Sequence, residues 1–162
     1  MIITYKVNEH QLDRAKMLYP FDALNGSITK GEGNLYGALA EVVVHDHFRA
    51  KGHDIDYQGN YDYDIIIDGH KVDVKAKHIK VTPKPYHNAG IVDWNINQEC
   101  DYYFFAFTKK DLSEVYLLGY MGKEEFYNKA TFNKKGEEDW NGWKFKANTY
   151  NVKVKALHSF AQ

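Results

Sequence analysis

Asp64, Asp73 and Lys75 are residues whose types and spacing could do chemistry, and the dipeptide that sets their geometry is Asp68-Gly69. Asp-Gly between alternating β-branched residues predicts a two-residue hairpin turn within YDYDIIIDGHKVDVKAKHI, pairing Ile67 with His70. Each step back along the first strand is matched by a step forward on the second, so Asp64 falls opposite Asp73. Period two puts Asp62, Asp64 and Ile66 on one face with Lys71, Asp73, Lys75 and Lys77, and turns Ile65, Ile67, Val72 and Val74 toward the core. Directly opposed residues carry Cβ atoms about 4.5 to 5.5 Å apart, and two like charges there are destabilising unless something lies between them. A divalent cation resolves the conflict. Mg²⁺ is typically held by one or two carboxylates, with waters and phosphate oxygens completing its octahedron, and Mn²⁺ accepts the same oxygen donors. Lys75 stands about 6.6 Å further along the same face, within reach of a metal-bound water or a phosphate oxygen.

Glu41 is the only charge between Leu35 and Val44. An isolated carboxylate on an apolar helix costs several kcal/mol unless it finds a partner, so Glu41 is expected to face the same cation or a hairpin lysine. The plainer reading of the hairpin is a solvated polar face, with Asp62 and Lys75 forming an ordinary cross-strand ion pair.

A helix bearing Glu, a strand opening with Asp, a turn, and a strand carrying (D/E)-x-Lys is the pattern of the PD-(D/E)XK, or restriction-endonuclease-like, nuclease superfamily. The sequence resembles it through GALAE ending at Glu41, YDYDIIIDG with Asp64, and VDVKAK with Asp73 and Lys75, over about residues 34 to 78. The proline that names the motif has no counterpart before Asp64. Residues 79 to 100 read as mostly irregular where the superfamily usually has a helix. The resemblance implies that Asp64, Asp73 and the main-chain carbonyl of Val74 hold Mg²⁺, that Glu41 supports the metal or its water, and that Lys75 positions or activates the attacking water. It implies a Mg²⁺-dependent hydrolase of phosphodiester bonds, most readily an endonuclease acting on DNA. The rival is a non-catalytic nucleic-acid-binding or inhibitory protein that keeps the nuclease fold. A homodimer would suit cleavage of both strands of a duplex.

Lys71, Lys75, Lys77, Lys80 and Lys84, followed by Tyr86, His87 and Trp94, make a basic run with aromatic residues beside the site. Lys77, Lys80 and Lys84 are accordingly expected to contact nucleic acid, the competing reading being a lysine-protected edge strand. His45-Asp46-His47 invites a second metal site but reads better as surface histidines near a helix end. Gln98 and Tyr102 match a Gln-x-x-x-Tyr pairing of some superfamily members that lies on a helix; here Tyr102 begins a strand, so the match is set aside. Trp140, Trp143 and Phe145 read as packing over a sheet edge rather than as base-stacking platforms.

The elements that must position these residues follow from period and punctuation. Asn8 caps a helix over about residues 9 to 19 with Pro20 just past it, and a Gly-rich stretch with Gly31 and Gly33 leads into a core helix over about 34 to 51 that Gly52 ends. After the hairpin, residues 81 to 99 show no sustained period and read as a long irregular connection with room for a short helical turn. CDYYFFAFT and EVYLLGYM read as strands, KEEFYNKA as a short helix, 131 to 142 as an exposed loop, and NVKVKAL as part of a last strand.

The sum is an α/β fold, one domain over 1–162 with a mixed β-sheet flanked by helices. The chain's 44% apolar, 27% charged and 15% aromatic residues suit a globular domain and exclude a collagen-like or disordered one. With 21 Lys plus Arg against 22 Asp plus Glu, a polyanion must be met by a local basic patch. The single Cys100, the absence of a bilayer-length apolar run and an N-terminus without a basic-then-apolar signal predict a soluble, cytoplasmic protein with no membrane partner.

Overall fold

The Asp68-Gly69 turn is the pivot of the fold. In the computed structural model, which describes residues 2–24 and 32–160, both turn residues take positive φ, 50° and 84°. That is the type I′ geometry whose twist matches paired strands, and Gly69 adopts it without a Cβ penalty. The turn joins β3 (Ile65–Ile67) to β4 (His70–Lys75), with Ile67 opposite His70 and Ile65 opposite Val72 as expected. The turn is itself held: Asp68 accepts the Asp54 N–H at 2.9 Å and pairs with His53 Nδ1 at 2.5 Å.

The two N-terminal helices form as their end signals require, with one difference. Helix α1 (Glu9–Leu24) starts at a reciprocal cap in which the Gln11 N–H donates to Asn8 Oδ1 at 2.8 Å and the Asn8 N–H to Gln11 Oε1 at 3.2 Å. It runs past Pro20, where the sequence predicted an end. Helix α2 (Glu32–Ala50) closes on Gly52 at φ 90°, the Gly52 N–H bonding the Arg49 carbonyl and the His53 N–H bonding that of Phe48. The stretch around Gly31 lies outside the described residues.

Seven strands make a mixed sheet in the order β1 (Ile3–Lys6), β8 (Glu114–Gly122), β7 (Tyr102–Lys109), β4, β3 and β2 (Ile55–Tyr57), with β5 (His78–Ile79) continuing the line of β4 along β7. β4 and β5 run parallel to β7, and the other pairs are antiparallel. One face, carrying Ile65, Val72, Val74, Phe104, Ala106 and Leu117, packs under α1 and α2. The other carries Tyr103, Phe105, Phe107, Tyr116 and Leu118 and packs against α3 (Lys123–Lys129) and a second sheet. That sheet has the order β6 (Asn88–Val92), β10 (Thr149–Lys153), β9 (Thr131–Asn133). The molecule is a single α/β domain with a mixed, curled sheet and three helices. Among the described residues no helix is long and apolar enough to cross a membrane.

Three expectations are corrected. Residues 81 to 99 hold a short helical turn, the 3-10 helix over Asp93–Asn97, but are not otherwise irregular throughout, because Asn88–Val92 forms β6. Thr131–Asn133 is a strand within the expected loop. Ile3–Lys6, unassigned from sequence, forms an edge strand whose Tyr5 meets Val115 of β8.

Candidate active site

β3 begins at Ile65, so β4 outruns it, and the site forms on the unmatched length of β4. There the Val74 N–H donates to Asp64 Oδ2 at 2.8 Å, the side chain replacing the carbonyl a longer β3 would supply. The Asp64 N–H still bonds the Val72 carbonyl at 3.0 Å, so Asp64 is anchored at both ends. Asp73 is only 4% exposed. Its Oδ2 accepts from Lys75 Nζ at 2.8 Å and from Gln98 Nε2 at 3.3 Å. Lys75 Nζ also donates to Gln98 Oε1 at 2.8 Å and lies 5.5 Å from the Tyr103 ring centre.

Glu41 reaches the same place from α2. Its carboxyl is hydrogen-bonded to that of Asp64, and the Tyr57 hydroxyl donates to its Oε2 at 3.3 Å. Two carboxyl groups can share a hydrogen bond only if one keeps a proton. Burial of the Asp64 carboxyl, then the charges of Asp73 and Glu41, push its pKa well above the ordinary carboxylate range, against the opposing pull of the Val74 N–H.

Glu41, Asp64, Asp73 and Lys75 are thus brought together, and the face expected to be charged and solvated is largely buried at Asp73. Three carboxyl groups, one of them keeping a proton, still leave an excess of negative charge over the single ammonium, on hard oxygen donors that suit a divalent cation of the Mg²⁺ type. Among the described residues no group of three His, Cys, Asp or Glu side chains is arranged as a ready-made metal cage. A metal here would take Asp64, Asp73, a main-chain carbonyl and its own waters, a ligand set within the habit of Mg²⁺. The cross-strand pair of Asp62 with Lys75 does not form. Asp62 Oδ1 instead accepts the Glu99 N–H at 3.0 Å.

Gln98 is the site residue that sequence reasoning set aside. It is 4% exposed, and its Nε2 also donates to the Tyr61 carbonyl at 2.6 Å, so it ties the segment before β3 to Asp73 and Lys75. The Gln-x-x-x-Tyr spacing was its available signal, but Tyr102 lies on the helix-covered face, edge-on to His70 and Tyr120. The three nucleic-acid lysines divide. Lys80 and Lys84 are exposed. Lys77, an exposed residue overall, lays its ammonium 4.7 Å over the Phe107 ring and within 3.4 Å of the Asn88 carbonyl, where burial lowers its pKa. His45 and Asp46 are structural: Asp46 Oδ2 accepts from Arg14 at 2.8 Å and from Gln11 Nε2 at 3.0 Å, fastening α1 to α2, and Asp46 Oδ1 pairs with His45 Nδ1 at 3.1 Å. His47 is buried and hydrogen-bonded to the Tyr5 hydroxyl.

The sequence matches no protein-family model and no curated protein.

Proposed function

We propose that the protein is a Mg²⁺-dependent nuclease of the PD-(D/E)XK type, hydrolysing phosphodiester bonds in DNA. The observation that carries this reading is the gathering of Asp64 and Asp73 at the open end of the hairpin, with Lys75 two residues on and Glu41 meeting Asp64 from α2. Asp64, Asp73 and the carbonyl of Val74 would hold the metal, which supplies a Lewis acid to the phosphoryl oxygen. Lys75, oriented by Asp73 and Gln98, presents an ammonium to the charge that develops on the phosphate and to the attacking water. Glu41, linked to Asp64, is placed to accept a proton at Oε1 or Oε2. The second reading, a nucleic-acid-binding or inhibitory protein, draws on the Lys75, Asp73 and Gln98 network, which satisfies Lys75 by itself.

One assay separates them: cleavage of supercoiled, linear, single-stranded and branched DNA with Mg²⁺ or Mn²⁺ and with chelator, alongside salt-dependent binding. Lys75→Ala is expected to lose roughly a hundredfold or more in rate with a far smaller loss of affinity. Lys75→Arg should remain strongly impaired, because a planar fork cannot replace a compact ammonium. Absence of metal-dependent cleavage by wild type, with Lys75→Ala weakening binding like any neighbouring lysine, would put the binding protein in its place.

A further inference from the structure

On the sheet face of Lys75, just beyond it, lies a groove of about 490 Å³ whose walls include Lys77, His87, Trp140 and Trp143. Its relation to the site is one of register. Lys75 lies beside Phe105 and His78 beside Thr108, so the register along β7 is kept across the gap between β4 and β5 and Lys77 falls beside Phe107, on the same face as Lys75. Two tryptophans rim the groove at 65% and 48% exposure. Their main chain is fixed: the Trp140 main-chain N–H donates to Asp139 Oδ1 and the Trp143 main-chain N–H to Asn141 Oδ1. The Asp139 N–H and the Trp143 carbonyl close the turn between them at 2.7 Å. The Tyr86 ring meets Trp140 edge-on at 5.4 Å, and Phe145 meets Trp143 at 5.0 Å.

The charges beside these rings are cationic. Lys77, Lys84 and Lys153 all act on His87, whose pKa burial and these three ammonium groups hold below its ordinary value. The Lys84 N–H donates to His87 Nδ1 at 3.1 Å, so a neutral His87 carries its proton on Nε2 as a donor. The facing acid, Asp139, is committed to Asn88 Nδ2 at 2.8 Å and to the Trp140 N–H. Exposed aromatic faces beside clustered cations fit a ligand that is planar and apolar on one side and anionic on the other. A nucleotide meets that description when its base is free to leave the stack, which a single strand allows and a paired duplex resists.

We propose that this groove seats an unstacked nucleotide of single-stranded DNA, with its base against Trp140 and Trp143 and its phosphate at Lys77 and His87. The proposal rests on the nuclease reading of the neighbouring carboxylates and names the substrate form that site takes: a single-stranded region or a strand end.

The test is binding of labelled dT oligonucleotide and of a blunt duplex to the full chain in chelator, where no cleavage occurs, read by anisotropy and tryptophan quenching. Trp140→Ala/Trp143→Ala should lose about tenfold or more in affinity for the single strand and less than twofold for the duplex. Trp140→Phe/Trp143→Phe should recover most of that loss. Unchanged single-strand affinity in the folded alanine variant, an equal loss on both DNAs, or a wild-type dimer that the variant converts to monomer would each overturn the proposal. Because binding is read without metal, the two readings fail separately. A wild type that cuts no DNA while the alanine variant loses single-strand binding removes the nuclease but keeps the groove.

Discussion

At the scale of single residues, the site is defined by negative charge held closer than it prefers, and Asp64 shows the cost. Its raised pKa means that the metal-free folded state keeps a proton to higher pH than the unfolded chain does. Between the unfolded value near 3.9 and the raised folded one, the folded state binds more protons, so stability falls as pH rises through that window and stays reduced above it. Asp46 moves the other way: its bonds to Arg14, Gln11 and His45 outweigh its burial, and its contribution is complete once pH passes the usual carboxylate range. His47 and His87, lowered chiefly by burial, add stability as pH rises through about 6.5. These groups are common to wild type and Asp64→Asn, so the difference between the two proteins isolates Asp64. In chelator, calorimetric melting should show wild type losing stability relative to Asp64→Asn as pH rises above about 4. Saturating Mg²⁺ should reverse the order. Parallel pH profiles would place the strained charge elsewhere. Asp64, Asp73 and Lys75 were legible because a two-residue turn converts sequence distance into spatial proximity, and Glu41 because it is a lone charge on an apolar stretch of helix. Gln98 was not, since its place depends on how a distant segment packs back on the sheet.

At the scale of elements, the site depends on a strap between two segments far apart in sequence. The segment before β3 and the 3-10 helix over Asp93–Asn97 are joined where Asp62 takes the Glu99 N–H, where the Tyr61 hydroxyl donates to the Trp94 carbonyl at 2.8 Å, and where Gln98 takes hold of Tyr61. Asp62→Ala removes a charge-assisted bond at the half-buried end of that strap. It should cost about 1 to 2 kcal/mol in urea denaturation. Its effect on metal-dependent cleavage should be larger than that loss implies, because Gln98, which sets the Lys75 ammonium, loses its support. Wild-type cleavage by a stable Asp62→Ala would show that the strap does not set the site. The hairpin and α2 were readable because each carries its own punctuation, Asp68-Gly69 in one and Gly52 in the other. β1 and β6 were not: one is four residues long at a sheet edge, and the other interrupts its pattern with Gly90 and follows two prolines. Their conformation is decided by β8 and β10, which no local window contains.

At the scale of the whole molecule, the large sheet separates two kinds of packing, and the candidate site draws on both. Glu41 comes from the helix-covered side, while Asp73, Lys75 and the aromatic groove belong to the face covered by the small sheet. A single mixed sheet with helices was readable from the order of periodic segments. The second sheet was not, because its strands are short and its central strand β10 meets β6 across more than fifty residues of chain. This arrangement also decides how a molecule of net charge −1 could hold a polyanion. With no attraction from the whole, binding must come from the few cations gathered at the groove, Lys77, Lys84 and Lys153 around His87 and Lys146 on its wall. Single-strand binding loses about 0.7 of a unit in log affinity per unit of log salt for each phosphate neutralised, so three or four such contacts predict a slope of about −2 to −3. Lys84→Ala should lower its magnitude by about 0.7, while a substitution at the remote, exposed Lys129 should leave it alone. Titrations of the dT oligonucleotide from low to moderate salt would measure both. A slope near zero would leave the aromatic rims without their electrostatic partner, and one much steeper than −3 would require a second basic surface elsewhere on the molecule.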